Sequence, residues 1–320
     1  MRIYVLALNR VFDTGLATVL DAFGTANELA EMTGITSLRF DLSVVGLTAI
    51  VTTAQGFRVR AVGASKLHAP DCVVIPAIGC KMPEPLVAAL ASQEVQRVRP
   101  VLRRWADGGA LTAAACIGTF VLAESSLLDG EEATTTWWLA PLFRRRYPRV
   151  RLDESRILVN SHRIVTAGAA LSHLDMALSL IQRVSPELAA LTAKYLVVDA
   201  RSSQSIYTIP NHLAQADPMV ERFERWARDR LDEGFSLNEA ADALQTSKRT
   251  FARRMQRVLG KSPLEYFQDL RVEKAVHLLK TTNASVDEIA AQVGYADGVT
   301  LRALLRQRLG RGVRELRRRA

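Results

Sequence analysis

Residues 235–260 read FSLNEAADALQTSKRTFARRMQRVLG, and this stretch decides the fold of the last third of the chain. Ser236 precedes Glu239 by three positions, which is the spacing of a helix-capping box. A short turn through Gln245 and Thr246 then separates a helix of small residues from a second helix rich in lysine and arginine. The pattern predicts a helix-turn-helix unit.

A second unit of the same kind follows at residues 285–310, which read SVDEIAAQVGYADGVTLRALLRQRLG. Ser285 again stands three positions before an acidic residue, Glu288. Paired alanines in both first helices, at 240–241 and 290–291, allow the two helices of each unit to approach closely. In such units the first helix crosses the DNA backbone and the second enters the major groove. Two units therefore predict a DNA-binding domain.

Each second helix has an apolar face and a basic face. In the first unit the apolar positions recur at helical spacing and predict a small core made of Leu237, Ala240, Leu244, Phe251, Met255 and Leu259. The other face predicts the contacts with DNA. We assign these contacts to Lys248, Arg249, Thr250, Arg253, Arg254 and Arg257 in the first unit and to Gly298, Thr300, Arg302 and Arg306 in the second.

Positive charge is concentrated in the same region. The chain has a formal net charge of +9, from 42 Lys plus Arg and 33 Asp plus Glu. Residues 246–320 contain 17 of these basic residues and 7 of the acidic ones, so the remainder is near neutral. A basic run is often only a solvated helix face. Here the charge falls on the second helices of both units, as binding to a phosphate backbone requires.

The region from about Met219 to the C-terminus resembles the DNA-binding domain of the AraC family. The resemblance implies two helix-turn-helix units joined by a long rigid helix. Residues 263–279, PLEYFQDLRVEKAVHLL, look like that connector. The family's base-reading positions fall on Arg249, Ala252 and Arg253, and each arginine can donate paired hydrogen bonds to a guanine.

The second unit departs from the AraC pattern. Ala303 replaces a basic residue, Leu305 replaces a phenylalanine, and the family's Ser-Pro after the final glycine is missing. Arg302 or Arg306 can serve in place of the basic residue. We therefore expect the second unit mainly to bind phosphates.

Residues 1–185 have a different pattern, in which short apolar runs alternate with amphipathic stretches. The apolar runs predict strands at 3–8, 42–47, 72–76, 110–116 and 163–167. The stretches between them predict helices at 16–31, 84–90, 94–107, 119–125 and 171–183. Such alternation is typical of a parallel sheet covered by helices on both faces. The fold class is therefore an α/β N-terminal domain followed by an all-α C-terminal domain with two helix-turn-helix units.

Residues 113–120, AAACIGTF, join a predicted strand to a helix with small residues on both sides of Cys116. This is the steric requirement of a nucleophile elbow. A thiol at a helix N-terminus is expected to have a lowered pKa, which favours the thiolate. The alternative is that Cys116 is an inert core residue, since free cysteine is commonly buried.

The elbow and its surroundings, residues 110–138, resemble the PfpI-like, class I glutamine-amidotransferase-like superfamily. Residues 19–24 resemble that superfamily's first helix, which implies that Asp21 faces the thiol, and residues 71–79 resemble its pocket loop. Such a domain fused to an AraC-type module is the architecture of GlxA-like transcriptional regulators. The resemblance implies a homodimer that binds double-stranded DNA and senses a small-molecule effector, which contains nitrogen in many relatives.

Two departures from this superfamily argue against catalysis. Thr136 stands where relatives commonly have a histidine, and a thiol without that base cannot cycle its proton through acyl transfer. Residues 76–79 also lack the paired glycines of the family's oxyanion loop. We therefore predict an effector pocket rather than an enzyme, lined by Cys116, Asp21, Ile78, Ile117 and Trp137, although Trp137 is alternatively a core residue. The competing hypothesis is a cysteine-dependent amidase or hydrolase.

The predicted domains are an effector-sensing domain at 1–185, an interdomain helix and arm at 186–216, and a DNA-binding domain at 217–320. Residues 201–207, RSSQSIY, resemble an Arg and Gln motif of the family and form either an arm packed between the domains or a plain linker. The three cysteines, at 72, 80 and 116, are odd in number and lack metal-ligand spacing. With no apolar run of membrane length, these features predict a cytoplasmic protein without a metal or cofactor.

Overall fold

The computed structural model describes residues 1–35, 39–199, 201, 203–204 and 217–317, and it divides the chain into two compact units, Met1–Gln204 and Ser205–Ala320. The division falls inside the predicted interdomain segment. The reason is that the helix Pro186–Tyr195 packs on the first unit through Leu188 and Ala189. Most of the predicted arm lies outside the described residues.

The first unit is built on a mainly parallel sheet. Its strands are β1 Arg2–Leu6, β2 Asp41–Gly46, β3 Ile50–Thr52, β4 Arg58–Arg60, β5 Val62–Gly63, β6 Cys72–Ile75, β7 Leu111–Ala115, β8 Glu132–Ala133, β9 Arg151–Leu152, β10 Leu158–Ser161 and β11 Ile164–Ala167. Within the described ranges the main sheet has seven strands in the order β10-β11-β7-β6-β1-β2-β5. Its neighbouring pairs are parallel except β10 with β11. The parallel sheet predicted from the apolar runs is confirmed.

Helices cover both faces of this sheet. On one face pack α1 Asp13–Met32, α6 Ser172–Val184 and α7 Pro186–Tyr195; on the other pack α2 Pro83–Leu90, α3 Gln93–Asp107, α4 Gly118–Glu124 and α5 Ala140–Arg146. Alternate residues of a strand point to opposite faces. Accordingly, Tyr4 and Leu6 of β1 enter the core of the α2–α5 face, whereas Ile3 and Val5 enter the core of the α1 face.

The second unit is helical and contains both predicted helix-turn-helix units. Its helices are α8 Pro218–Arg228, α9 Leu237–Ala243, α10 Lys248–Leu259, α11 Pro263–Thr281, α12 Val286–Gln292, α13 Gly298–Leu309 and α14 Val313–Arg317. The first helix-turn-helix is α9 with α10, the second is α12 with α13, and α11 connects them. Ser236 and Ser285 cap α9 and α12 by accepting the Glu239 and Glu288 amides, as their spacing predicts.

The connector α11 contributes to two small cores. Its first half buries Tyr266, Phe267 and Leu270, and the Phe223 ring lies 4.8 Å from that of Phe251 and 6.1 Å from that of Tyr266. Its second half packs Ala275 and its neighbours against α12 and α13. The predicted core of the first helix-turn-helix unit is buried except for Leu237, which is half-buried. None of the described helices is long and apolar enough to cross a bilayer.

Candidate functional site

The second helix of the first helix-turn-helix unit, α10, presents a line of arginines to solvent. α10 begins after Ser247, whose Oγ accepts the Thr250 amide at 3.1 Å. Arg249, Arg253 and Arg257 follow at intervals of four, so they lie above one another on one face of the helix, and all three are exposed. Lys248 and Thr250 are exposed as well, and Ala252 is half-buried. A helix with such an exposed face is suited to a DNA major groove.

Arg254 differs from these arginines because it forms an ion pair within the unit. Its Nε donates to Asp217 Oδ2 at 2.6 Å, and the same carboxylate caps α8 by accepting the Met219 amide at 2.9 Å. Burial of Asp217 disfavours its charged form, but Arg254 and the cap amides outweigh burial and hold the pKa of this carboxyl below its ordinary value. The prediction that Arg254 contacts DNA is therefore corrected: it fastens α10 to α8.

The second helix of the second helix-turn-helix unit, α13, repeats the exposed arginine line. Asp297 caps α13 and accepts the Thr300 amide at 2.7 Å. Arg302 and Arg306 are four positions apart and exposed, as are Thr300 and Ala303. This face carries fewer exposed cations than the face of α10, and its binding to phosphates stays a prediction.

Gly298 was predicted as a DNA contact, and the structure corrects that prediction. Gly298 is buried, and its amide donates to Asp287 Oδ1 at 2.8 Å. A Cβ at this position would lie 2.7 Å from the same oxygen. Glycine is therefore needed for the close approach of α13 to α12. Leu305 is fully buried and fills the core position where the AraC pattern has a phenylalanine.

Two side chains at the centre of α11 hold the second helix-turn-helix unit in place. Asp269 accepts hydrogen bonds from Lys261 Nζ at 2.8 Å and from Arg308 Nη1 at 3.2 Å. These bonds join the end of the first helix-turn-helix unit to α13. Arg271 donates from Nε to the Leu231 carbonyl at 2.8 Å, and its guanidinium lies 5.0 Å from the Tyr295 ring. Residues two apart on a helix are separated by about 200°. The connector is therefore fixed on two sides.

The candidate ligand site lies at the carboxyl end of β7. Cys116 has a left-handed backbone, with φ 56°, in the tight turn between β7 and α4. Its amide donates to the Ala167 carbonyl at 2.9 Å, and its carbonyl accepts Thr135 Oγ1 at 2.6 Å. A Cβ on Gly118 would lie 2.2 Å from the Ile75 carbonyl oxygen, so only glycine fits there. The turn has the geometry of a nucleophile elbow.

The thiol of Cys116 is neutral rather than ionised. The residue is 4% exposed. Burial raises the pKa of this thiol above its ordinary value, and hydrogen bonds from Ala170, Ile117 and Thr136 lower it by less. The expectation of a thiolate at the start of α4 is therefore corrected, because loss of hydration outweighs the helix dipole.

The other predicted pocket residues divide into two groups. Ile78 and Ile117 share an apolar cluster with Cys116, and Trp137 is also buried. Asp21, by contrast, is exposed on α1 and lines an open groove with Phe57. The implied pairing of Asp21 with Cys116 is corrected, because Asp21 lies on the exposed side of α1 whereas Cys116 is buried.

One hydroxyl group at the elbow is unsatisfied. Within the described part of the chain, the buried Oγ1 atom of Thr119 has no hydrogen-bond partner. Thr119 is the third residue after Cys116, and its amide donates to the Cys116 carbonyl at 3.3 Å. Thr136 lies against the thiol, in the position expected for a catalytic histidine. The elbow is thus lined by apolar groups, by a threonine that bonds to the thiol and by one hydroxyl without a partner.

His173 is a residue of this region whose position the sequence did not predict. It is fully buried, and its Nε2 accepts the Ala77 amide at 3.1 Å while Nδ1 faces the Ala170 carbonyl. Burial lowers the pKa of His173 to about 4, so the ring is neutral at pH 7. The ring therefore occupies an amide of the 76–79 loop that would otherwise be free to bind an oxyanion. With both nitrogens engaged, it cannot serve Cys116 as a base.

We expect the three cysteines to resist alkylation in the folded protein. All are buried, and burial raises the pKa of Cys72 to about 12 and also raises that of Cys116. With excess iodoacetamide at pH 8, followed by intact mass and peptide mapping, native protein should react at least about a hundredfold more slowly than protein in urea. Rapid native labelling of Cys116 would contradict the neutral thiol and favour the hydrolase hypothesis.

Comparison with known proteins agrees with both halves of the structure. Residues 1–183 match the family model described as the DJ-1/PfpI family. The chain belongs to the DJ-1/PfpI family. Residues 240–319 match a model described as a helix-turn-helix domain. The chain thus joins a DJ-1/PfpI domain to an AraC-type helix-turn-helix domain, as the two resemblances predicted.

Named relatives share sequence with this DJ-1/PfpI chain over part of their length. It is 29% identical to the HTH-type transcriptional regulator GbdR of Pseudomonas aeruginosa over 198 residues. This match covers 61% of this chain and 54% of GbdR. It is 27% identical over 201 residues to the HTH-type transcriptional regulator ArgR of the same species, which covers 62% of this chain and 61% of ArgR. The chain therefore spans less than two thirds of the length of these relatives.

A solved structure shares the fold of part of the chain. The crystal structure of an AraC family transcriptional regulator from Pseudomonas putida superposes with a TM-score of 0.51 at 18% identity, covering 61% of this chain and 98% of that chain. At this identity the similarity concerns the fold alone.

Proposed function

We propose that the protein is a sequence-specific DNA-binding transcriptional regulator. The observation that carries the proposal is the pair of exposed arginine lines, Arg249-Arg253-Arg257 and Arg302-Arg306, each on the second helix of a helix-turn-helix unit. Arginines at these positions can reach guanine edges and phosphates. The names of the relatives, which are HTH-type transcriptional regulators, support the same function. This function requires access to DNA, and we place the protein in the cytoplasm.

The DJ-1/PfpI domain then acts as a sensor rather than an enzyme. A neutral buried thiol, a threonine at the position of the base and the engaged ring of His173 all argue against acyl transfer. The unsatisfied hydroxyl of Thr119 beside apolar Ile78 and Ile117 suits a small molecule with both polar and apolar groups. We propose that such an effector, bound with Cys116 and Trp137, controls DNA binding by a homodimer.

Selection from random duplexes tests the proposal. Full-length protein at near-physiological salt is mixed with duplexes that contain a random central segment, and the retained DNA is sequenced. A regulator should enrich one motif with half-sites about one helical turn apart. The Cys116→Ser variant should enrich the same motif, because the thiol makes no DNA contact. Retention without sequence preference by both proteins would contradict sequence-specific binding.

A further inference from the structure

Gln204 belongs to the chain segment ahead of the DNA-binding unit, but its side chain is buried in the DJ-1/PfpI domain. It is 2% exposed. The backbone amide of Gln204 donates to the Ser155 carbonyl at 2.8 Å, and Ser203 Oγ donates to the same oxygen at 2.9 Å. Arg201 forms an ion pair with the buried Asp175. The described part of the predicted arm is therefore fastened to the first unit rather than free as a plain linker.

Both ends of the Gln204 carboxamide are satisfied. Its Nε2 donates to the Thr135 carbonyl at 2.9 Å and to the Arg156 carbonyl at 3.3 Å. Its Oε1 accepts the Ala169 amide at 3.0 Å. A Cβ on Gly168 would lie 2.5 Å from this Oε1, so a glycine at 168 leaves the room that the carboxamide occupies. The pocket around Gln204 therefore matches the shape and the hydrogen-bonding groups of a carboxamide.

The two segments that hold Gln204 also hold the elbow. Thr135, whose carbonyl accepts Gln204, donates from Oγ1 to the Cys116 carbonyl at 2.6 Å. Ala167, directly before Gly168, accepts the Cys116 amide at 2.9 Å. Ala170, next to Ala169, contributes a backbone hydrogen bond to the thiol. One hydrogen-bond network thus runs from Gln204 to both sides of Cys116.

We propose that Gln204 is a positioning residue that couples the Cys116 elbow to the chain entering the DNA-binding unit. Thr136 and Ala170 hydrogen-bond to the buried thiol of Cys116, so a molecule that reaches the thiol displaces Thr136 or the loop at 168–170. Either displacement moves groups that bind the carboxamide, and loss of the carboxamide loosens the same groups. Coupling of this kind is reciprocal. The inference deepens the proposed function, because it names the contact through which an occupied elbow would be sensed.

Alkylation of Cys116 in the full-length protein tests the coupling in one direction. Gln204→Ala leaves the Ala169 amide and the Thr135 carbonyl without partners, and we expect iodoacetamide to label Cys116 about tenfold faster or more. Gln204→Glu keeps the size and the acceptor for Ala169 but places a carboxylate oxygen against two carbonyls in a buried site, so labelling should be accelerated at least as much. Gln182→Ala, an exposed glutamine on α6, should label at the wild-type rate.

Hydrogen exchange tests the coupling in the reverse direction. Wild-type protein is carboxamidomethylated at Cys116 by prolonged labelling, and exchange of the amides of Ala169 and Gln204 is followed by mass spectrometry. Both amides are hydrogen-bonded in the structure, to Gln204 Oε1 and the Ser155 carbonyl. They should exchange faster after Cys116 is modified. Amides in the second half of α1, around the buried Leu29, should be unchanged.

A matched destabilised variant separates coupling from loss of stability. Leu29 is buried in α1 on the face away from Cys116, and Leu29→Ala lowers global stability without touching the network. The proposal is overturned if Gln204→Ala labels at the wild-type rate, or if Leu29→Ala accelerates labelling equally. No DNA is present in either assay, so a failure of the regulator proposal in the duplex selection would leave these results unaffected.

Discussion

Replacing Arg249 and Arg253 together by alanine is expected to weaken binding to the selected motif by about a hundredfold or more, because each lost guanine contact costs about 1–3 kcal/mol. Both side chains are exposed, so removing them should leave the fold intact. Affinity is measured by fluorescence anisotropy at one fixed salt concentration, since the phosphate contribution changes with salt. The selection should also lose preference at the positions that these arginines contact.

The second helix-turn-helix unit provides a comparison within the same protein. Arg302→Ala with Arg306→Ala should weaken binding to all sequences and reduce the slope of log affinity against log salt by about two. Arg97→Ala, an exposed arginine on α3 of the other unit, should leave both quantities unchanged. If the α10 double variant binds as tightly as wild type, α10 is not the recognition helix and the proposed function loses its main support.

Features that depend on neighbouring residues could be predicted from the sequence. The caps at Ser236 and Ser285 follow from a residue three positions away, and the long strands follow from apolar runs. β5, β8 and β9 escaped prediction because strands of two residues have no measurable periodicity. The exposed arginines of α10 also followed from helical spacing alone.

Site details that depend on distant contacts could not be predicted. Arg254 is removed from the DNA face by Asp217, 37 positions earlier, and His173 reaches the Ala77 amide across 96 positions. The prediction that the Cys116 thiol is ionised failed for a related reason. The helix dipole is a local property that the sequence shows, whereas burial depends on every segment packed around the residue.

Gly118→Ala is expected to cost the DJ-1/PfpI domain about 3–5 kcal/mol, which is a large part of the stability of an ordinary domain. The added Cβ would lie 2.2 Å from the Ile75 carbonyl oxygen and 2.8 Å from that of Pro76. Both are backbone atoms at the end of a central strand, so neither can move aside as a flexible side chain would. Urea unfolding followed by circular dichroism measures the loss.

Gly24→Ala is the control with the same chemical change and the opposite expected sign. Gly24 lies inside α1, and a Cβ there would meet nothing within 4 Å. Alanine should therefore stabilise the helix by about 0.5–1 kcal/mol through its higher helix propensity. If Gly118→Ala proved as stable as wild type, the close approach of α4 to the end of β6, and with it the tight geometry of the elbow, would be wrong.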